Sequence, residues 1–162
     1  MYISLVTLLL FLFIFIITYC DLRFNKIYNW ITVPLLVAGI LLNSSMAGIN
    51  GFFFSILGAL AGLFVLLLPY TFGWIGGGDV KFLTAAGALI GPYAVLMSTI
   101  IGLLFFGLIA IAYLVVRKNL LGFIKQLLLV ICGVRLIQVS GTLPMGVFLG
   151  LGTLFYWLFL AN

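Results

Sequence analysis

Gly76-Gly77-Gly78-Asp79-Val80-Lys81 interrupts a chain that is otherwise almost continuously apolar, and it carries one of only two acidic residues in the protein. Upstream of it, residues 51–68 form an uncharged run closed by Pro69; downstream, residues 82–116 contain no charge at all. As one helix that second run would be about 52 Å long, well beyond a hydrocarbon core of about 30 Å. It therefore divides, and Gly91-Pro92 is the natural break, because proline disfavours helix at the residue before it and glycine tolerates a turn. The hexapeptide reads as a polar link between membrane-length helices. Composition agrees: 67% of the 162 residues are hydrophobic and 6% charged, against roughly 45–50% and about 25% in soluble domains. The chain reads as an all-α integral membrane protein.

Outward from this link, residues 3–20 read as a first transmembrane helix, too long for a signal-peptide core and without a basic stretch before it. Asp21, Arg23 and Lys26 make a short charged connection to a second span at 27–42, which Asn43-Ser44-Ser45 ends. A third span covers 51–68, and residues 70–78 form a loop. The fourth and fifth follow on either side of Gly91-Pro92, and residues 143–160 make a sixth. Residues 120–140 are apolar but carry Lys125 and Arg135, which share an arc of roughly 100° with Arg117 and Lys118. That basic stripe suits a helix lying in the interface better than a span with two buried cations. About six crossings plus one interfacial helix place every basic residue on one side, which the positive-inside rule makes the cytoplasm. Both termini then lie outside, and Asp21 and Asp79 share the cytoplasmic boundary.

The inventory excludes several chemistries. There is no histidine, and both acidic residues are aspartates. Serine or cysteine triads, zinc-protease motifs and di-iron carboxylate sites are therefore out of reach. Cys20 and Cys132 form no CxxC and read as packing residues. The residues present offer no metal ligand cluster and call for no cofactor. A net charge of +5, placed mainly at segment ends, points to the lipid bilayer as partner and not to nucleic acid. Two carboxylates at one membrane face can work as an acid/base pair: one ionised and taking a proton from water, the other protonated and polarising a scissile carbonyl. Their mutual repulsion and the low dielectric would enforce that split. Gly76, Gly77 and Gly78 would let a substrate backbone approach closely. Lys81 and Arg23 flank the carboxylates, either as site-shaping groups or as interfacial anchors. The plain structural alternative makes Asp21 a helix-end charge paired with Arg23 or Lys26, and Asp79 a helix cap or partner of Lys81.

GGGDVK resembles the GxGD signature of type IV prepilin peptidases, a form shared by presenilins, signal peptide peptidases and archaeal preflagellin peptidases. DLRFNKIYNW, starting at Asp21, is similar to the first-aspartate motif of bacterial prepilin peptidases, with Tyr28 where that motif has proline. GTLPMGVFLGLG, at 141–152, is similar to the family's Pro-Phe-Gly-Pro-Phe-Leu stretch, with Met145 and Val147 as differences. The resemblance implies a GxGD protease-like bundle at the inner, cytoplasmic membrane. It implies cleavage of the short basic leader from type IV pilin-like precursors, with Asp21 and Asp79 as the catalytic dyad. It further implies a single peptidase domain over 1–162, as in Tad-type pilus systems, without the CxxC-bearing methyltransferase insertion of larger members. Two other readings stand beside it. One is a small proton-coupled transporter using Asp21 and Asp79 as carriers; the other is a non-enzymatic assembly factor, which leaves the paired aspartates unexplained.

Overall fold

The computed structural model describes residues 2–24, 28–73, 75–116 and 145–160. Among them the regular structure is entirely helical: α1 (Tyr2–Phe24), α2 (Asn29–Thr71), α3 (Gly77–Ile90), α4 (Pro92–Val116) and α5 (Met145–Phe159). Two helices are long and apolar enough to cross a membrane, Asn29–Thr71 and Pro92–Ile109; Val6–Asp21 and Gly146–Phe159 are shorter apolar helices. The expectations for Lys26, Arg117, Lys118, Lys125, Arg135, Cys132 and the interfacial helix at 120–140 fall outside the described residues.

α2 is not a rod. In a continuous helix Asn43 and Ser55 would stand about 18 Å apart, yet Asn43 Nδ2 donates to Ser55 Oγ at 2.8 Å. The chain folds back at Gly48, whose φ of 60° and ψ of −135° lie outside helical values in a region that suits glycine. The limbs 29–47 and 49–71 are therefore antiparallel. Asn43-Ser44-Ser45 does not end the helix as expected. Asn43 turns its side chain inward to the other limb instead of competing for its own backbone, and the turn comes at the glycine.

Each limb buries one helical stripe, Thr32, Leu35, Gly39 and Asn43 on the first and Ser55, Gly58, Gly62 and Leu66 on the second, at the three-to-four spacing of one helix face. Against these small residues lies α3, buried on nearly all sides from Phe82 to Ile90 apart from half-buried Thr84. Gly58 and Gly87 meet through their backbones: a Cβ on either would strike the other's carbonyl. α3 packs chiefly on α2, and α4 on α5. α1 closes the bundle with Val6, Leu10, Phe13, Ile14 and Ile17 buried. It is pinned to α5 where Trp157 Nε1 donates to Thr7 Oγ1 at 2.8 Å. The exterior carries large apolar groups such as Phe15, Trp30, Ile49, Phe64 and Leu104, a surface that suits hydrocarbon and not water. Inside, Ser98, Thr99 and Thr153 are buried and donate back to carbonyls of their own helices, which satisfies hydroxyls that no water reaches.

Candidate active site

α1 runs on to Phe24, so Asp21 and Arg23 sit in its last two turns and not in a connecting link. That difference decides where the carboxylate points. The buried stripe of α1 continues from Ile17 by four residues, and Asp21 is its next member, only 9% exposed. α3 likewise starts earlier than expected. Gly76 is its extended N-cap, and Gly77, Gly78 and Asp79 form its first turn, with Asp79 8% exposed. The C-terminal end of α1 and the N-terminal end of α3 thus come together at one end of the bundle. Below the carboxylates the rings of Phe13 and Phe82 stack at 5.6 Å, fixing the two helices side by side.

Three helix ends shape the electrostatics. The Asp21 carboxyl accepts hydrogen bonds from the backbone N–H groups of Gly146 and Val147, in the first turn of α5. An acid at the C-terminal end of its own helix faces an unfavourable dipole, and the N-terminus of α5 offsets this. The Asp79 carboxyl accepts the N–H of Gly76, while the Asp79 N–H donates to the Gly76 carbonyl at 3.1 Å. The first of these bonds is the acidic half of a capping box, whose other half Gly76 has no side chain to make. Asp79 therefore does cap its helix, as the structural alternative held, and it does so beside a second carboxylate.

Both groups lie at helix ends, beyond the apolar runs, and both titrate high. Burial pushes Asp21 above the usual carboxylate value, and the two α5 N–H groups pull it partly back. Burial likewise raises Asp79, the charge of Asp21 raises it further, and the Gly76 N–H lowers it, leaving it at about 7. One of the two thus holds its proton near neutrality while the other ionises first. Asp21 Oδ2 has no hydrogen-bond partner among the described residues. The arrangement provides one proton acceptor and one proton donor in a site that largely excludes water.

The flanking residues divide. Arg23 is exposed; its Nη1 donates to Tyr19 Oη at 2.6 Å and its guanidinium stacks 5.9 Å from the Tyr19 ring centre. Lys81 is exposed at the rim of an apolar groove of about 300 Å³ between α2 and α3. Gly76 has ordinary extended backbone and Gly77 is helical. The left-handed glycine of this connection is Gly73, at φ 74°. What Gly77 provides is room, since a Cβ there would lie 3.2 Å from Tyr70 Cε2. Gly146 and Val147 were not among the expected site residues. Their signal was the 141–152 stretch, which carries no ionisable group and acts through its backbone.

A sequence profile of the type IV leader peptidase family matches residues 8–162, which include both aspartates and all three glycines before Asp79. The chain belongs to the type IV leader peptidase family. No curated protein and no solved structure matches it. Membership in this family makes the protein a leader-peptidase-like protease and disfavours the transporter reading. It also joins three segments that are distant in the chain: Asp21, the Gly76–Asp79 turn and the start of α5 meet at one end of the bundle of this leader peptidase.

Proposed function

We propose that this leader peptidase is an aspartic endopeptidase that removes the short basic leader from type IV pilin-like precursors at the cytoplasmic face of the inner membrane, with Asp21 and Asp79 as its dyad. The observation that carries the reading is the pair of buried carboxyls at one end of the bundle, one of which stays protonated to about 7. Asp21 is the base: it takes a proton from the attacking water. Asp79 is the acid: its proton goes to the scissile carbonyl oxygen. The gem-diol then collapses with cleavage of the C–N bond: Asp21 passes its proton to the leaving amine, one hydroxyl proton returns to Asp79, and water has been added across the peptide bond with no other reactant. Desolvation strengthens both proton transfers. The α2 fold-back supports two crossings within 29–71 and hence a topology of about six spans. Arg23 and Lys81, at the same end as the carboxylates, support the cytoplasmic placement. The deciding experiment incubates the purified protein in detergent with a pilin precursor and sequences the product's N-terminus. Cleavage after the basic leader is expected, and an intact precursor would overturn the proposal.

A dyad that works with one proton gives a bell-shaped pH profile. Asp79 loses its proton as pH rises through about 7, so cleavage should fall there. It should fall again in acid, where Asp21 becomes protonated. The same shift bears on stability. Native Asp79 holds a proton that the unfolded chain releases near 3.8, so the fold should lose stability as pH rises from about 4 to about 7. Residue-resolved labelling with a hydrophobic carbodiimide, which attacks protonated carboxyls, reads the midpoint directly. In Asp21→Asn the midpoint of Asp79 should drop, because the charge that adds to the effect of burial is gone. An unmoved midpoint would mean that the carboxyls do not sense each other.

Gly77→Val should lower cleavage by about tenfold, roughly 1.4 kcal/mol in the barrier, with both carboxylates intact. The branched side chain meets the Tyr70 ring and displaces the first turn of α3. Adding Tyr70→Ala to that variant removes the obstruction and should restore part of the rate. No recovery would mean that Gly77 acts other than by clearance from Tyr70.

A further inference from the structure

At the end of α3 away from Asp79 lies a polar cluster that the chemistry above does not use. Asn43 is buried, and besides Ser55 its Nδ2 lies within hydrogen-bond reach of the carbonyls of Ala88 at 3.1 Å and Leu89 at 3.2 Å, its two N–H groups being shared among the three acceptors. Ser55 Oγ donates in turn to the Gly39 carbonyl at 3.3 Å. Ala88 and Leu89 belong to the last turn of α3, where helix carbonyls lose their intrahelical donors. The chain leaves the helix at Gly91, with φ 87° and ψ 173°. The Gly91 N–H serves the Gly87 carbonyl at 2.8 Å, and residue 92, which in a continuing helix would serve Ala88, is a proline without an N–H. A side-chain amide from another helix supplies the donors instead.

The rest of the α2–α3 contact has no comparable direction. Gly39 lies against the Ala88 and Leu89 backbone, where a Cβ would stand 2.9 Å away, and Gly58 and Gly62 lie against Gly87 and Leu83. Such faces hold two helices close by packing, which has little directional preference, whereas hydrogen bonds to named carbonyls favour one register. α3 is a rigid rod on this scale, and Asp79 stands about 15 Å from Leu89 along its axis. An axial shift at one end is therefore delivered to the other.

We propose that Asn43 is a positioning residue: by capping the C-terminus of α3 it fixes that helix's axial register, and so sets where Asp79 meets Asp21. The inference rests on the dyad reading and deepens it. Asp21 from α1 faces Asp79. Lys81 stands two residues along α3 with its side chain exposed, Tyr70 of α2 covers Gly77, and α5 brings the uncharged Gly146 and Val147. The described side chains of α4 carry no charge. Arg23, exposed at the end of α1, is the other charge at this end, so a slip of α3 changes Asp79 first through its burial and then through its distance from Asp21.

The test uses the full chain in detergent, with Asn43→Leu, which keeps the volume and loses the donors. Two quantities are read: kcat and KM on a pilin precursor, and the pH midpoint of carbodiimide labelling at Asp79. The expected outcome is a kcat about tenfold lower per folded molecule with KM within about twofold, and a labelling midpoint lower by at least about half a pH unit. Ser55→Ala, which leaves both α3 carbonyls bonded to Asn43, should keep the wild-type midpoint. If Asn43→Leu does not fold, Asn43→Ser is read by the same two measurements, since its hydroxyl can bond back to the Gly39 carbonyl in its own helix. A wild-type kcat with an unmoved midpoint overturns the proposal, as does an equal shift in Ser55→Ala. Labelling needs no substrate, so it still decides the matter if the wild-type protein leaves pilin precursors intact; that result would count against the peptidase reading alone.

Discussion

Asp79→Asn should retain no detectable cleavage, a loss of at least about a thousandfold in kcat, and Asp21→Asn should lose as much. Asparagine is nearly the same size as aspartate but can neither accept a proton from water nor give one to a carbonyl oxygen. The fold should survive both changes. An asparagine at 79 keeps an oxygen for the Gly76 N–H, so α3 stays capped, and one at 21 keeps an oxygen for the N–H groups of Gly146 and Val147. At 79 the exchange also removes a carboxyl whose ionisation burial opposes, so thermal melting in detergent should match or exceed that of the wild type above pH 7. Because base and acid act on one water and one carbonyl in a single step, the double variant should be no worse than either single one. Two independent proton carriers would instead give additive losses. Substantial cleavage by either single variant would end the aspartic-protease reading.

The residues that stand out in the sequence are the ones that break its apolar monotony, and there the reading and the structure agree well. The Gly91-Pro92 break falls between α3 and α4 as expected, and Gly91 takes a left-handed φ of 87°. Asp21 and Asp79 come together at one end of the bundle, as the sequence reading expected. What was hidden follows from the same monotony. α1 is apolar all round, so no stripe in the sequence reveals that Ile17 and Asp21 share a face, and Asp21 reads as part of a link. Asn43 looks like a terminator because asparagine ordinarily competes for nearby backbone. Its partners, Ala88 and Leu89, are 45 and 46 residues away and offer only carbonyls. Gly146 and Val147 contribute backbone N–H groups, which every residue but proline has, so only their family-like context could single them out.

Gly87→Ala, a change of one methyl group, should be among the most damaging substitutions in the protein. A Cβ at Gly87 would run into the Gly58 carbonyl, and one at Gly58 into the Gly87 carbonyl. Neither obstacle is a flexible side chain; both are helix backbone already committed to hydrogen bonds. The two helices must therefore separate, and separation at this point also opens the contacts of Gly39 and Gly62 with the same helix. Overpacking of this kind costs roughly 1–3 kcal/mol, and here it falls on α3, the most enclosed of the described helices and the one that carries Asp79. Melting temperature and cleavage should both drop, and adding Gly58→Ala should make matters worse, since each methyl meets the other's backbone. Gly107→Ala supplies the control on α4. Among the described residues nothing outside its own helical turn lies within 4 Å of where a Cβ would stand, and alanine favours helix over glycine by roughly 0.5–1 kcal/mol, so that variant should melt no lower than the wild type. If Gly87→Ala instead melted with the Gly107→Ala protein and cleaved precursor at the wild-type rate, the two backbones could not be in contact, and the placement of Asp79 by α2 would have to be abandoned.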